Sequence, residues 1–159
     1  MHYLVSLIVE ADNADEANNR ADSIMQDLIE REEFDWYSTA VDGSRWPNCW
    51  KPASLDDNKT IIILRDAIND QLTEFVRIMA VIRHMLDNYT DQQIFNENFE
   101  QVDNVGYLSR YQFSRASGYH GNVCQIYDTN GSTITNYREL NPLLSNTSRL
   151  WLVQVDCHN

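Results

Sequence analysis

The sequence predicts an α+β fold with a ferredoxin-like β-α-β opening, a mostly antiparallel sheet and two main helices on one face. The first reason is an opening run rich in Tyr, Val, Leu and Ile, followed by apolar residues that recur every three or four positions. The second is a last third of short strand-like runs separated by turn residues. A length of 159 residues predicts one domain over residues 1–159.

The first third of the chain predicts strand, helix and strand in that order. Residues 2–11 form the first strand, and Asp12 or Asn13 caps a helix over residues 14–32. Residues 34–41 return as a strand that ends at the Asp-Gly turn of residues 42–43. An irregular loop over residues 44–58 holds two tryptophans and a cysteine, which favours packing on the body of the protein or lining a site.

The remaining residues predict one long helix and then mainly strands. Thr60–Leu64 is either a short strand, which we favour, or the lead-in to the next helix. We expect residues 66–88 to be a helix and Thr90 or Asp91 to cap a short helix through Phe99. The expected strands lie at residues 107–114, 123–128, 133–136 and 150–156, with Asn130 and Gly131 as a hairpin turn. Residues 139–144 predict a helical turn broken by Pro142.

The charge balance excludes some partners. The chain has 24 acidic and 12 basic residues, so its net charge is −12. This argues against direct nucleic-acid binding and against anionic membranes, since both need positive charge. Three widely spaced cysteines indicate reduced thiols, and the first apolar run lacks a basic leader, so we expect a cytoplasmic protein.

Two segments resemble small proteins of bacteriophages and their hosts. Phe34-Asp35-Trp36-Tyr37 followed by Gly43-Ser44-Arg45-Trp46 resembles their Asp-Trp-Tyr…Gly-Gly-Arg-Trp segment, with Ser44 in place of the second glycine. The ending Val155-Asp156-Cys157-His158 is similar to their Val-Asp-Cys-His close, and residues 118–121 echo their Gly-Trp-Trp-Gly turn. The resemblance implies a phage or prophage setting and no particular reaction.

A candidate ligand site centres on Arg45. A guanidinium beside aromatic rings can clamp a phosphate or carboxylate, or stack on a base. The rings available are those of Trp36, Tyr37, Trp46 and Trp50. The alternative is that Arg45 pairs with Asp35 or Asp42 while the tryptophans close the core.

Weaker catalytic candidates are Asp156, His158 and His120. On a strand, Asp156 and His158 share one face and Cys157 takes the other. The pair could bind a metal, with His2, His120 or Asp128 as a further ligand, or could act as a general base. The alternative is a structural strand end with a packed thiol. The chain has no cofactor motif and no zinc-type cysteine and histidine spacing.

The first functional hypothesis is a non-catalytic, phage-type accessory protein, with an anti-defence role as one form, that binds a host factor or sequesters a small anionic or nucleotide ligand. The alternative is a metal-assisted hydrolase or nucleotide-processing enzyme. A second alternative is an acidic DNA mimic that blocks a nucleic-acid-binding host protein, since carboxylates gather on and beside the first helix. An open sheet edge would also allow a homodimer.

Overall fold

The computed structural model describes residues 2–40, 44–96, 101–102, 106–107 and 125–158. The helices are α1 (Ala14–Glu30), α2 (Asn58–Asn88), α3 (Asp91–Phe95) and α4 (Tyr137–Leu144). The strands are β1 (His2–Glu10), β2 (Trp36–Ser38), β3 (Ala53–Ser54), β4 (Gln101–Val102), β5 (Gly106–Tyr107), β6 (Gln125–Tyr127), β7 (Thr133–Ile134) and β8 (Leu150–His158). The chain falls into two compact units, residues 1–70 with 123–159 and residues 71–122.

The first unit holds a mixed sheet of six strands. Its order is β2-β8-β1-β6-β7, and β3 also pairs with β8. Only β1 and β6 are parallel among the named strands of this sheet, and the other pairs are antiparallel. Strands β1 and β2 both run antiparallel to β8 and are joined by α1, which gives the predicted β-α-β opening. The α+β class and the mostly antiparallel sheet are therefore confirmed.

Neighbouring residues of a strand point to opposite faces of the sheet. Both faces of this sheet are covered, so each of them buries apolar side chains. On one face, Val5, Leu7 and Val153 pack against Ala21 and Met25 of α1. On the other face, a second core holds Ile8, Leu55, Leu64, Ile68, Ile126, Leu140 and Leu152.

The first turns of α2 thus cover the face opposite to α1. The prediction of both main helices on one face is wrong in this detail. Helical periodicity shows which side of a helix is buried, but it does not show which face of a sheet receives that side.

The predicted strand at Thr60–Leu64 is wrong as well, since these residues form the first turns of α2. Three consecutive isoleucines favour a strand locally. In the structure, the carboxylate of Asp57 accepts the Lys59 N–H at 3.0 Å, and its carbonyl accepts the Thr60 N–H at 3.0 Å. These bonds start the helix, and burial of Leu64 against the sheet stabilises it.

The predicted hairpin is present between β6 and β7. Ile126 pairs with Ile134, and Gly131 adopts a left-handed backbone with a φ of 71° in the connecting loop. The Asp128 carboxylate accepts the N–H groups of Asn130 and Ser132, both at 2.9 Å. The helical turn expected near residues 139–144 is the two-turn helix α4, which continues through Pro142 and is capped by Asn136.

The second unit contains the later part of α2, then α3 and the antiparallel pair β4–β5. The predicted long helix is confirmed, and its buried residues here include Ile78, Val81 and Met85. Thr90 caps α3 through a reciprocal hydrogen-bond pair with Gln93. Among the described helices, none is both long and apolar enough to cross a membrane. The boundaries of a single domain over residues 1–159 stay a prediction.

Candidate functional site

The most chemically organised surface lies at the end of the sheet where β1 and β2 begin and β8 ends. The strand register places His2 opposite His158 and His158 opposite Trp36, so the three side chains form one row across three strands. Asp156 shares their face because it lies two residues before His158. We call this group the Asp156 cluster: His2, Trp36, Ser44, Arg45, Asp156 and His158.

Asp156 is the centre of the cluster and is only 3% exposed. Its Oδ1 lies 2.8 Å from Nδ1 of His2, which must donate because a carboxylate only accepts. Its Oδ2 accepts the backbone N–H of Arg45 at 3.0 Å and the hydroxyl of Ser44 at 3.4 Å. One buried carboxylate thus joins the start of β1, the loop after β2 and the end of β8.

These hydrogen bonds keep the buried carboxylate ionised. Burial alone would raise the pKa of Asp156, since it removes water from the charged form. The hydrogen bonds from His2, the Arg45 backbone and Ser44, with the charge of His2, outweigh burial and lower the pKa of Asp156 below its ordinary value. The carboxylate therefore fixes the orientation of the His2 ring through Nδ1. The other ring nitrogen, Nε2, is left to interact with a ligand.

Three aromatic rings meet above this carboxylate. The Trp36 ring stacks on the His158 ring with 5.5 Å between centres and 11° between planes. The His2 ring meets both of them edge-on, at 5.8 Å from Trp36 and 5.4 Å from His158. Nδ1 of His158 also lies 3.6 Å from Oδ2 of Asp35. Trp36 is 45% exposed, so the group presents an aromatic face to solvent.

Arg45 reaches the cluster through its backbone, and its guanidinium is exposed above the neighbouring indole. The guanidinium carbon is 5.9 Å from the centre of the Trp46 ring, which is cation–π geometry. Among the described residues, no carboxylate pairs with this guanidinium, and this includes Asp35, one of its two predicted partners. Asp42, the other predicted partner, lies outside the described residues. Ser44 orders the turn by accepting the Trp46 N–H at 3.2 Å, a bond that a glycine at this position would lack.

The comparison with protein families decides where the chain belongs. The family described as Domain of unknown function (DUF7995) matches residues 1–159. The chain belongs to this family. Comparison with curated proteins and with solved structures gives no match. The description of the family assigns no activity, so the function of this DUF7995 chain is argued from its own residues.

The aromatic residues predicted around Arg45 divide between two places. Trp36 belongs to the Asp156 cluster, and Trp46 lies under the Arg45 guanidinium. Tyr37 and Trp50 instead pack against the core beneath α1, with 6.2 Å between their ring centres. The Tyr37 hydroxyl donates to Asp22 at 2.7 Å. Because Trp36 and Tyr37 are neighbours on a strand, only one of them can face the cluster.

Of the three predicted catalytic candidates, two lie together in the structure and the third lies outside the described residues. Asp156 and His158 share a face as expected, and Cys157 is fully buried on the other face, where burial raises the pKa of its thiol. His120 lies outside the described residues, and Asp128 holds the β6–β7 turn. Among the described side chains, no group of three or more His, Cys, Asp or Glu residues is arranged to hold a metal ion.

Sequence reasoning missed the direct bond between His2 and Asp156. It named His2 only as one of several metal ligands, because residues 154 positions apart have no local pattern that pairs them. One signal was available in the residue numbers. If the first and last strands pair in the observed register, the even-numbered residues of β1 lie on the same face as the even-numbered residues of β8.

Proposed function

We propose that this protein is a non-catalytic binding protein that takes a small anionic ligand with a planar ring, of the nucleotide class, at the Asp156 cluster. The observation that carries the proposal is the position of the Trp36 ring. It stacks on the His158 ring, meets the His2 ring edge-on and is 45% exposed to solvent. An exposed indole of this kind is a stacking platform for a base.

Charge at the cluster supports an anionic ligand. Asp156 is buried and both of its oxygens already accept hydrogen bonds, so it has no free oxygen that would bind a cationic ligand directly. The exposed guanidinium of Arg45 supplies a cation next to it, with the N–H geometry that suits phosphate or carboxylate. In a protein with a net charge of −12, a local cation beside a stacking surface indicates where an anion would bind.

The biological setting of the proposal is taken from the resemblance to phage proteins. In that setting the protein would act in the host cytoplasm as an accessory protein, and an anti-defence role follows if the ligand is a nucleotide signal of the host. A host protein that carries the same kind of anionic group would be recognised by the same surface.

Calorimetric titration with AMP, ATP, GTP and NAD tests the proposal. We expect at least one of them to bind the unmodified protein and to raise its melting temperature. Trp36→Ala should weaken that binding by about 1–3 kcal/mol, roughly 5- to 150-fold in Kd, because a stacked base loses its platform. Arg45→Ala should weaken it by a similar factor through the lost charge-assisted hydrogen bond.

Arg138→Ala is the matched control, since it removes an exposed arginine of α4 and the same unit of charge. It should leave Kd unchanged. Absence of binding by all four nucleotides, or equal weakening by all three variants, would contradict the proposal.

A second candidate is the hydrolytic or nucleotide-processing enzyme, and the His2–Asp156 pair favours it. A buried carboxylate that orients an imidazole through Nδ1 is the arrangement of many general bases. His2→Gln should then abolish turnover of a bound nucleotide while its Kd changes little. Intact nucleotide recovered after long incubation with the unmodified protein would remove this candidate and leave the binding proposal standing.

A further inference from the structure

A second candidate site is a cavity of about 470 Å³ at the opposite end of β1 from the Asp156 cluster. This volume lies within the range of ligand pockets. The cavity is bounded by Val9 and Glu10 at the end of β1 and by Thr129 and Asn130, which follow β6. Strands β1 and β6 are parallel, and the carboxyl ends of neighbouring parallel strands are where open sheets commonly bind ligands.

One wall of the cavity is a single stripe of α1. Glu16, Arg20, Ser23 and Asp27 line it at intervals of three and four residues, so they share one flank of the helix. This flank lies beside the stripe that packs on the sheet. The helix therefore presents two carboxylates, a guanidinium and a hydroxyl to one half-open, solvent-accessible cleft.

The cavity combines both signs of charge. Nη2 of Arg20 lies 3.5 Å from Oε1 of Glu16, and Nη1 of Arg149 lies 3.6 Å from Oε1 of Glu10. A guanidinium carries five N–H donors, more than these contacts use. The Asp27 carboxylate has no hydrogen-bond or ion-pair partner among the described residues. Donors for a carboxylate and an acceptor for an ammonium therefore line the same space.

The backbone at the rim is strained, and a smaller part of the lining is apolar. Arg149 adopts a left-handed backbone with a φ of 67°, which is unfavourable for a residue with a Cβ. Its carbonyl accepts the Ala11 N–H at 2.9 Å, and its Nε donates to Asp12 at 2.9 Å. Strain of this kind is concentrated at ligand sites. Ile24, which is half-buried, adds apolar surface to the lining.

We propose that this cavity binds a small zwitterion, a free amino acid or a dipeptide with an apolar side chain. Arg20 and Arg149 bind its carboxylate, Asp27 binds its ammonium group, and Ile24 contacts its side chain. This site is independent of the nucleotide site proposed above, because it lies at the other end of β1 and shares no residue with the Asp156 cluster.

Titration with leucine and leucylalanine tests this inference. Each charge is tested separately with 3-methylbutylamine, which lacks the carboxylate, and 4-methylpentanoate, which lacks the amine. We expect leucine or leucylalanine to bind and both single-charge analogues to bind at least about tenfold more weakly, since each loses one charged pair. Arg20→Met and Asp27→Asn should each reduce the affinity by about the same factor.

Arg65→Met and Asp66→Asn are the matched controls, because both residues are exposed on α2 and outside the cavity. Ser23→Leu narrows the cavity without a change of charge and should weaken binding. Absence of binding by leucine and leucylalanine overturns the inference. Equal binding of 3-methylbutylamine overturns it as well, since it would indicate a simple cation site. Nucleotide binding by Arg20→Met should stay unchanged, which separates this site from the Asp156 cluster.

Discussion

At the scale of single residues, Asp156 has the largest structural role in the candidate site. It accepts hydrogen bonds from His2, Arg45 and Ser44, which come from two separate parts of the chain. A buried carboxylate with this many donors is costly to replace, because the donors would lose their acceptor while remaining out of water. The orientation of His2 and the start of the Arg45 loop both depend on it.

Asp156→Asn should reduce the free energy of unfolding by about 2–3 kcal/mol, because the amide nitrogen cannot accept and one donor is left unsatisfied. The difference should depend on pH in one direction. Since the folded protein lowers the pKa of Asp156 from its ordinary 3.8, the carboxylate stabilises the fold above that value and loses this effect as the pH falls through the lower folded pKa. Urea unfolding at pH 7 and at a series of acidic pH values well below 3.8 measures both effects.

The control for this variant is Asp35→Asn. The side chain of Asp35 is 70% exposed and lies 3.6 Å from His158, so its loss should change stability by less than about 0.5 kcal/mol. An Asp156→Asn protein as stable as the unmodified one at neutral pH would refute the central structural role of this carboxylate.

At the scale of elements, α1 ends with a C-terminal cap in which a glutamate stands where glycine is usual. The Glu33 N–H donates to the Leu28 carbonyl at 3.0 Å and the Glu32 N–H to the Ile29 carbonyl at 2.9 Å, which is the Schellman pattern. Glu32 holds the left-handed position with a φ of 61°, where glycine is the usual residue. Two residues later, Phe34 packs into the core, and this burial helps to hold the chain in the capped conformation.

Glu32→Gly should therefore stabilise the protein, by about 0.5–1 kcal/mol, since it removes the clash of a Cβ in the left-handed conformation. Glu30→Gly, in the last turn of the same helix, should instead destabilise it by about 1 kcal/mol. Thermal and urea unfolding of the two variants tests the sign. Destabilisation by both would show that backbone strain at Glu32 contributes little to stability.

At the scale of the whole molecule, the acidity is partly used for internal contacts. Asp22 and Glu33 accept the hydroxyls of Tyr37 and Tyr127, at 2.7 and 2.9 Å. Burial first, then the bond to Asp22, raises the pKa of Tyr37 to about 12. Two of the carboxylates on and beside α1 thus have structural partners, and the DNA-mimic hypothesis depends on the others.

The excess of acid should make the fold sensitive to salt. With a net charge of −12, raising NaCl from about 0.02 M to about 0.5 M should increase the melting temperature by a few degrees, because salt screens the repulsion between carboxylates. Choline chloride at the same ionic strength is the control for specific sodium binding. A melting temperature that stays constant or falls with salt would show that repulsion does not limit stability.

Local patterns in the sequence were enough to predict the α+β class, α1, the hairpin at Gly131, and the shared face of Asp156 and His158. Each of these depends on neighbours within a few positions, where helical and strand periodicity and turn chemistry act directly. The tertiary structure decided the rest. It made Thr60–Leu64 helical because Leu64 packs into a core, and it placed the first turns of α2 on the face opposite to α1. It also brought His2 to Asp156, because only the pairing of the first and last strands fixes a register across the whole chain.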